Sequence, residues 1–258
     1  MKNKIANRAI EILSEEGIRS FSRKVSDYAA AKLGFFGLSY DLLRIKRLKR
    51  DCTLDELLDF AFNDYAVLIK PGQVQSEASE LLEIVNRMKP KVTVEIGTAN
   101  GGTLFLFSHV ASEGATIVSI DLPGGRFGGG YPAWRTLLYR SFALPGQKIH
   151  LLRADSHDRD TLEQVKAILD GREIDFLFID GDHTYEGVKM DFETYGSLVR
   201  RGGIIAFHDI VIHPVETGCD VSKFWREIKD NCTVREIVQE WSQNWAGIGL
   251  LYPQRCKR

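Results

Sequence analysis

Ionisable side chains are crowded into two short segments in the second half of the chain. The segment Asp180–Tyr185 holds two carboxylates, an imidazole and a phenol directly after an apolar run, and His208 and Asp209 follow a second apolar run. Crowding of titratable groups at the end of a buried strand costs stability and usually serves a site. Because imidazole exchanges protons near neutral pH and carboxylates bind cations, the pattern indicates proton transfer or metal chemistry.

A glycine-rich turn follows the β-branched run Val92–Ile96. Glycine lets a backbone turn sharply and pass close to a ligand, although a simple strand-to-helix turn would look similar. The GxGxxG fingerprint of dinucleotide-binding proteins is absent. Glu95 would repel a pyrophosphate and attract a cationic ligand. The candidate cofactor-binding residues in this segment are Glu95, Gly97, Thr98, Asn100, Gly101, Gly102 and Thr103.

Two further carboxylates follow apolar runs in the same way. Asp121 ends the second run, where a carboxylate can accept both hydroxyls of an adenosine ribose. Nicotinamide cofactors and adenosine-containing methyl donors share this feature, so Asp121 does not distinguish between them. Asp155 follows the third run, where it can contact an adenine amino group or simply cap a helix.

The alternation of apolar runs and helical periodicity predicts an α/β fold with a doubly wound, mostly parallel sheet. In such a sheet the carboxyl ends of the strands share one edge, where ligands bind. The predicted strands are Val92–Ile96, Ile117–Ile120, Ile149–Leu152, Phe176–Ile179 and Ile204–Phe207, with Glu236–Gln239 and Gly249–Tyr252 as an antiparallel edge. The predicted helices of this part are Ser76–Met88, Phe105–Ala111, Thr161–Leu169, Tyr185–Val199 and Val221–Lys229.

An N-terminal helical extension is predicted for residues 1–70, and the break Pro71-Gly72 separates it from an α/β domain at residues 71–258. Its helices are expected at Ile5–Gly17, Phe21–Leu33 and Leu54–Phe62, the last with a capping box at Thr53 and Glu56. Residues 1–50 hold 12 Lys/Arg against 5 Asp/Glu. This basic segment is either a solvated face that docks on the domain or a peripheral contact for anionic membranes or an acidic partner.

The composition is that of an ordinary globular protein, and the net charge of −1 gives no reason to expect a nucleic-acid partner. No apolar window is long enough for a membrane span, and the N-terminus lacks the apolar core of a signal peptide. The four cysteines are widely spaced and form no CxxC motif, which predicts neither a zinc site nor a redox pair. We therefore expect reduced cysteines and a cytoplasmic location.

The motifs together resemble those of class I S-adenosylmethionine-dependent methyltransferases. The similarity spans Gln73–Tyr252 and is greatest to the branch of macrocin-type sugar O-methyltransferases and cephalosporin hydroxylase-like proteins. It is carried by Glu95–Thr103, Asp121, Asp180–Tyr185 and Gly202–Asp209. The resemblance implies a Rossmann-like methyltransferase fold and S-adenosylmethionine as cofactor, with its sulfonium end near Asp180.

The resemblance also implies roles for the ionisable cluster. In metal-dependent members, the Asp after the fourth strand and an acidic pair after the fifth bind Mg²⁺, and a nearby His is the general base. Carried over, the metal ligands are Asp180, His208 and Asp209, and the catalytic residues are Asp180 and His183. This sequence has His208 where the family has Glu, which weakens the case for Mg²⁺ and leaves a transition metal or a metal-free site as alternatives.

The implied activity is methyl transfer to a hydroxyl of a sugar, glycan or natural-product acceptor. A nicotinamide-dependent oxidoreductase or epimerase is the first alternative, and the absent GxGxxG and Glu95 argue against it. A catalytically inert binding protein is the second, and the cluster around His183 argues against it. A homo-oligomer is compatible with these features.

Two loops and four tryptophans are further candidates for shaping an acceptor pocket. The glycine-rich loop Pro123–Tyr131, which carries Arg126, Phe127 and Tyr131, is expected either to form a lid or to be a passive connection. The loop His213–Glu216 is expected on the same edge of the sheet. Sugar stacking is conceivable for the tryptophans, but core packing is the favoured role for Trp134, Trp225, Trp241 and Trp245.

Overall fold

One seven-stranded sheet forms the centre of the computed structural model, which describes residues 38–48, 52–63, 68–124, 127 and 129–253. Its strands are β1 (Val92–Ile96), β2 (Thr116–Asp121), β3 (Lys148–Arg153), β4 (Ile174–Ile179), β5 (Val199–Phe207), β6 (Thr233–Ile237) and β7 (Ile248–Tyr252). The spatial order is β3-β2-β1-β4-β5-β7-β6. Strands β1 to β5 are parallel, and β7 lies antiparallel to both β5 and β6.

Three described helices precede β1, and five lie between later strands. They are α1 (residues 38–47), α2 (Leu54–Phe62), α3 (Gln75–Met88), α4 (Gly102–Val110), α5 (Thr136–Arg140), α6 (Arg159–Leu169), α7 (Tyr185–Tyr195) and α8 (Val221–Lys229). The structure therefore confirms the predicted doubly wound α/β fold. No helix among the described residues is long and apolar enough to cross a membrane.

The central strands are buried on both faces, as expected for parallel strands covered by helices. Every residue of β1 is buried, and β4 is buried except at Asp175, which is half-buried. The Asp175 carboxylate accepts the backbone N–H groups of Lys91 and Val92, so the one charged residue of β4 ties it to the start of β1. This pairing fixes the register in which both strands end at the same edge.

Some element boundaries differ from the predicted ones. Strand β5 begins at Val199 instead of Ile204, because its polar start pairs with β4 across an irregular step in register. The predicted helix to Val199 ends at Tyr195 and continues only as a short 3₁₀ turn. Helix α5 was not predicted, since its five residues are too few to show helical periodicity.

The N-terminal part is only partly described. The predicted helices at Ile5–Gly17 and Phe21–Leu33 lie outside the described residues. The chain divides into two compact units, Met1–Arg47 and Leu48–Arg258. The boundary predicted at Pro71 remains a prediction about domain organisation. Helix α2 confirms the predicted capping box, because the Thr53 hydroxyl accepts from the Glu56 amide and the Glu56 carboxylate accepts from the Thr53 amide.

The cysteines do not all match the expectation. Cys52 and Cys219 form no disulfide, but Cys232 is disulfide-bonded. The prediction of uniformly reduced cysteines is therefore wrong at Cys232. Wide spacing in the sequence gives no information about which cysteines the fold brings together.

Candidate active site

The carboxyl ends of the central strands meet at one edge because hydrogen bonding continues one residue past each strand. Gly97 donates its N–H to Ile120 at 2.9 Å, and Asp180 donates its N–H to Ile96 at 2.8 Å. The N–H of His208 likewise donates to the carbonyl of Ile179, at 3.1 Å. The order of strands reverses between β1 and β4, and ligands bind at such a switch point in open α/β sheets. The geometry therefore places the turn after β1 beside the ionisable residues after β4 and β5.

A cavity of about 460 Å³ opens at this edge. Most of the residues predicted from the sequence line it: Gly97, Thr98, Asn100, Gly102, Thr103, Asp121, Asp155, Asp180, His183, His208 and Asp209. Glu95 and Gly101 do not line it. The volume is in the range of small-molecule and cofactor sites.

The glycines after β1 have a packing role that the sequence did not reveal. A Cβ at Gly97 would collide with the backbone carbonyl of Asp180, and one at Gly102 would collide with the Ile69 carbonyl. A Cβ at Gly101 would meet the Tyr139 ring. Gly97 and Gly101 also have positive φ angles, of 91° and 80°. These glycines are therefore required by close contacts within the protein, in addition to any approach of a ligand.

Glu95 is fully buried within β1. Burial raises the pKa of its carboxyl to about 8, against a partly compensating interaction with the Thr103 side chain. The group is thus mostly protonated at neutral pH in this structure. Glu95 does not line the cavity in this structure, so its predicted contact with a cationic ligand stays a prediction.

Asp121 ends β2 and holds two loops in place. One carboxylate oxygen accepts the backbone N–H groups of Thr98 and Ala99 at 3.1 and 2.7 Å, and the other accepts that of Gly130 at 2.9 Å. A carboxylate has about four lone-pair positions, so capacity remains for a hydroxyl group from the cavity. Asp121 therefore orders the turn after β1 as well as facing the predicted ribose position.

Asp155 lies on the cavity wall after β3, and its carboxylate accepts the backbone N–H of His157. The His157 ring lies 3.3 Å from the buried carboxylate of Asp191. Hydrogen bonding to Asp191 raises the pKa of His157 to about 9. His157 is thus a cation beside the position predicted for adenine, and no pattern in the sequence indicates this role.

The ionisable cluster is centred on the two carboxylates predicted from the sequence. Asp180 accepts a hydrogen bond from the Gln73 amide at 2.8 Å through one oxygen, and its other oxygen lies 3.1 Å from Nδ1 of His208. The same His208 nitrogen lies 3.2 Å from Asp209. Asp209 itself adopts a left-handed backbone conformation, with φ of 63°. Such strain in a non-glycine residue is concentrated at functional sites.

His183 bridges the two carboxylates. Its Nε2 lies 3.4 Å from Asp180, and its Nδ1 lies 3.1 Å from Asp209. Burial favours the neutral ring, but contacts with Asp180, Cys219 and Asp209 outweigh it and raise the pKa of His183 to about 11. The pKa of His183 is therefore well above the ordinary imidazole value, because two carboxylates stabilise the charged ring.

The loop after β5 adds two side chains to the cluster. His213 reaches Asp209 with its Nε2 at 3.1 Å, and its pKa is raised to about 9 by that contact and by Cys219. Burial raises the pKa of the Cys219 thiol, but contacts with His183 and His213 outweigh it and lower the pKa overall. The expected position of His213 on this edge is confirmed, whereas the sequence analysis assigned Cys219 no role.

The remaining polar residues of the first motif bond within the protein, although Asp182 and Thr184 also line the cavity. Asp182 accepts the backbone N–H of Thr184, and the Thr184 hydroxyl caps α7 by accepting from Gly187. The Tyr185 hydroxyl bonds to Glu227 on α8. Of the four ionisable groups in Asp180–Tyr185, Asp180 and His183 belong to the ionisable cluster with His208 and Asp209.

Aromatic residues border the cluster. Phe127 stacks on the His183 ring with a centroid distance of 4.9 Å, and Trp245 lines the cavity while 44% exposed. Tyr131 is instead buried against Tyr139, and Arg126 lies outside the described residues. Trp225 is in the core as favoured from the sequence, but that expectation is wrong for Trp245 and for Trp241, which is 59% exposed.

The donor atoms of the cluster do not suit Mg²⁺. Asp180, His208 and Asp209 offer donor atoms within 4.8 Å of one another, and so do His183, Asp209 and Cys219. Magnesium prefers oxygen ligands, whereas imidazoles outnumber the carboxylates here and a thiol is present. A step that depends on Mg²⁺ is therefore not assigned to this site.

Residues missed from the sequence share one property. Gln73 and His157 line the cavity and Cys219 contacts His183, and none of the three residues directly follows an apolar run. The only available signal was the position of Gln73 directly after Pro71-Gly72. Strand-end patterns identify residues on the sheet, but not those that loops bring to it.

Comparison with known proteins agrees with this geometry. Residues 94–210 match a family model described as a methyltransferase domain. Tapetum-specific methyltransferase 1 of Arabidopsis thaliana is 29% identical over 156 residues, covering 60% of this chain and 61% of that protein. An uncharacterised protein of Acanthamoeba polyphaga mimivirus is 33% identical over 116 residues, covering 45% of this chain and 50% of that protein. The chain thus spans less than two thirds of the length of the curated relatives it matches.

Solved structures show the same fold. The O-methyltransferase from Bacillus cereus in complex with S-adenosylhomocysteine aligns with a TM-score of 0.52 and 19% identity, covering 80% of this chain and 92% of that one. TomG from Streptomyces achromogenes, an O-methyltransferase in complex with S-adenosylmethionine, gives a TM-score of 0.53 and 17% identity, covering 83% and 95%. Together, the family match over residues 94–210 and these structures show that this chain is similar to methyltransferase domains and has their fold.

Proposed function

We propose that this protein transfers the methyl group of S-adenosylmethionine to a hydroxyl of a small-molecule or glycan acceptor. One observation supports the proposal above the others. A single cavity combines a turn suited to the cofactor, the carboxylates Asp121 and Asp155, and the cluster around His183. The turn and the two carboxylates suit an adenosine ligand. The cluster around His183 places acid–base groups next to that ligand.

The cofactor is proposed to lie across the switch point of the sheet. Asp121 would accept the ribose hydroxyls, and Asp155 would contact the adenine amino group. Backbone groups of Thr98–Gly102 would enclose the amino-acid end, with Asn100 held in place by Arg135 at 2.9 Å. The cationic sulfonium would then lie near Asp180, where a carboxylate favours positive charge.

The chemical step is a direct displacement. The acceptor oxygen attacks the methyl carbon, the carbon–sulfur bond breaks, and its electron pair stays on sulfur to give S-adenosylhomocysteine. The proton of the hydroxyl must leave as the new bond forms. Holding the two reactants in line supplies much of the rate enhancement in such a reaction.

His183 is the proposed proton acceptor, as expected from the sequence, but the structure adds a condition. A charged imidazole cannot accept a proton, and Asp180 and Asp209 keep His183 charged in this arrangement. Positive charge placed next to those carboxylates would lower the pKa of His183 toward the neutral range. The bound sulfonium is one source of such charge near Asp180.

The aromatic residues at the rim of the cavity support a particular class of acceptor. Trp245 is partly exposed there, and Phe127 covers one face of His183. Aromatic faces suit the apolar faces of sugar rings as well as aromatic natural products. This supports an acceptor that presents a hydroxyl on a ring.

The proposal is tested by following the methyl group. Purified protein is incubated with S-adenosylmethionine labelled in its methyl group and with panels of sugars, glycans and phenols. We expect label in an acceptor and an equal amount of S-adenosylhomocysteine, with the new methyl group on oxygen. Transfer to nitrogen or carbon acceptors alone would contradict the proposed O-methylation while leaving the methyltransferase domain intact.

A further inference from the structure

His157 lies on the wall of the cavity with a carboxylate on each side of its ring. Its Nε2 lies 3.3 Å from Asp191 on α7, and its Nδ1 lies 3.7 Å from Asp155 after β3. The same Nε2 is 3.2 Å from the carbonyl oxygen of Gly187. Because both ring nitrogens face acceptor atoms of the protein, a polar effect of His157 on a ligand passes through Asp155.

Asp191 is a carboxylate in the protein interior, with 0% of its side chain exposed, against 23% for His157 and 45% for Asp155. A buried carboxylate costs stability unless a cation pairs with it. Burial raises the pKa of Asp191, and the contact with His157 opposes that shift. The row of three groups thus begins in the core with Asp191 and ends at the cavity with Asp155, with the imidazolium of His157 between them.

Helix α7 holds the turn after β3 at two points. One is the contact of Asp191 with His157, and the other is the Tyr195 hydroxyl, which donates to the Ser156 carbonyl at 2.8 Å. Within the turn, the backbone N–H of His157 donates to Oδ1 of Asp155 at 2.9 Å, and the ring of His157 faces the same oxygen. His157 therefore fixes one oxygen of Asp155 from two directions, as a preorganised binding residue requires.

We propose that His157 and Asp191 are positioning residues that make the cavity selective for adenine by orienting Asp155. The C6 amino group of adenine donates a hydrogen bond to a carboxylate, whereas the C6 carbonyl of hypoxanthine presents a second acceptor to it. A carboxylate fixed at this place therefore binds the first base and repels the second. The inference rests on the proposed function, because it takes Asp155 as the contact of the adenine of S-adenosylmethionine.

The test compares S-adenosylhomocysteine with S-inosylhomocysteine, which carries hypoxanthine in place of adenine, by isothermal titration calorimetry. We expect the unmodified protein to bind S-adenosylhomocysteine about 100-fold more tightly than S-inosylhomocysteine. The ratio of the two dissociation constants should fall about tenfold in His157→Gln and in Asp191→Asn, because each variant removes one charge and keeps a polar side chain of similar size. A residue that only held the turn in place would weaken the binding of both ligands equally and leave the ratio unchanged.

His150→Gln is the matched control, because His150 lies on β3 and does not line the cavity, and it should keep both affinities. Asp155→Asn tests the contact itself and should lose the preference for adenine.

Far-ultraviolet circular dichroism shows whether each variant is folded, and His157→Gln decides the outcome if Asp191→Asn does not fold. An unchanged ratio in His157→Gln or in Asp155→Asn would overturn this inference, while binding of S-adenosylhomocysteine would still support the proposed function. Absence of S-adenosylhomocysteine binding by the unmodified protein would instead contradict the proposed function and this inference with it.

Discussion

Replacement of His183 by alanine is expected to lower kcat by about 10²–10⁴-fold, the usual contribution of a positioned general base. The side chain lies between Asp180 and Asp209 and faces the cavity beneath Phe127. KM for S-adenosylmethionine should change little, because the proposed cofactor contacts come from other residues. The measurement is steady-state kinetics of methyl transfer with an accepted substrate.

The control for this variant is His150→Ala, because His150 lies on β3 and does not line the cavity. It should keep the activity of the unmodified protein. A structural role for His183 would appear as weaker S-adenosylhomocysteine binding or a lower unfolding midpoint. Unchanged kcat in His183→Ala would show that another group accepts the proton.

Replacement of Gly97 by alanine is expected to destabilise the protein by about 3 kcal/mol or more, from backbone strain and overpacking together. A Cβ there meets the backbone of Asp180, which cannot move without displacing the end of β4. The positive φ of 91° adds strain for any residue with a side chain. Urea unfolding measures the decrease in the free energy of unfolding. Titration with S-adenosylhomocysteine should show that the variant also binds this ligand more weakly.

Gly72→Ala is the matched control for Gly97→Ala. Gly72 lines the same cavity, but a Cβ at Gly72 would meet nothing within 4 Å. This variant should unfold near the urea concentration of the unmodified protein. Equal stability of the two variants would refute the close packing of Gly97 against the turn after β4.

Much of the fold can be predicted from the sequence, because each strand is marked by a short apolar run in its own segment of the chain. Apolar runs marked the strands, and the side chains directly after them, such as Asp121 and Asp180, face the predicted edge. That result follows from geometry, because parallel strands carry their carboxyl ends to one edge whatever the loops do. The sequence could therefore predict which strand-end residues meet, even though their spacing in the chain is large.

The less predictable features depend on contacts between distant segments. Nothing local indicates that Cys219 reaches His183, since the contact requires the loop from β5 to α8 to fold back over the sheet edge. The pKa of His183 could not be read from residue type either, because it depends on two carboxylates from different strands. Gly97 and Gly101 were identified correctly as special positions, but their contacts are with Asp180 and Tyr139.

Tryptophan roles show a second limit of sequence analysis. Core packing was the favoured role for all four tryptophans, and Trp225 fulfils it. Trp245 lies in the segment before β7, which Glu77 on α3 holds by accepting the backbone N–H of Gly247 at 2.9 Å. Its position at the cavity is thus set by a contact with a helix far away in the sequence, which composition and periodicity do not report.

Binding of S-adenosylhomocysteine, measured by isothermal titration calorimetry, tests the central claim most directly. The titration is made with and without added divalent metal and with EDTA, and NADH is titrated separately by fluorescence. Micromolar affinity for S-adenosylhomocysteine and no binding of NADH is the predicted result, because the cavity provides for adenosine but lacks the dinucleotide fingerprint. Absence of S-adenosylhomocysteine binding under every condition, or binding of NADH in its place, would contradict the proposed function.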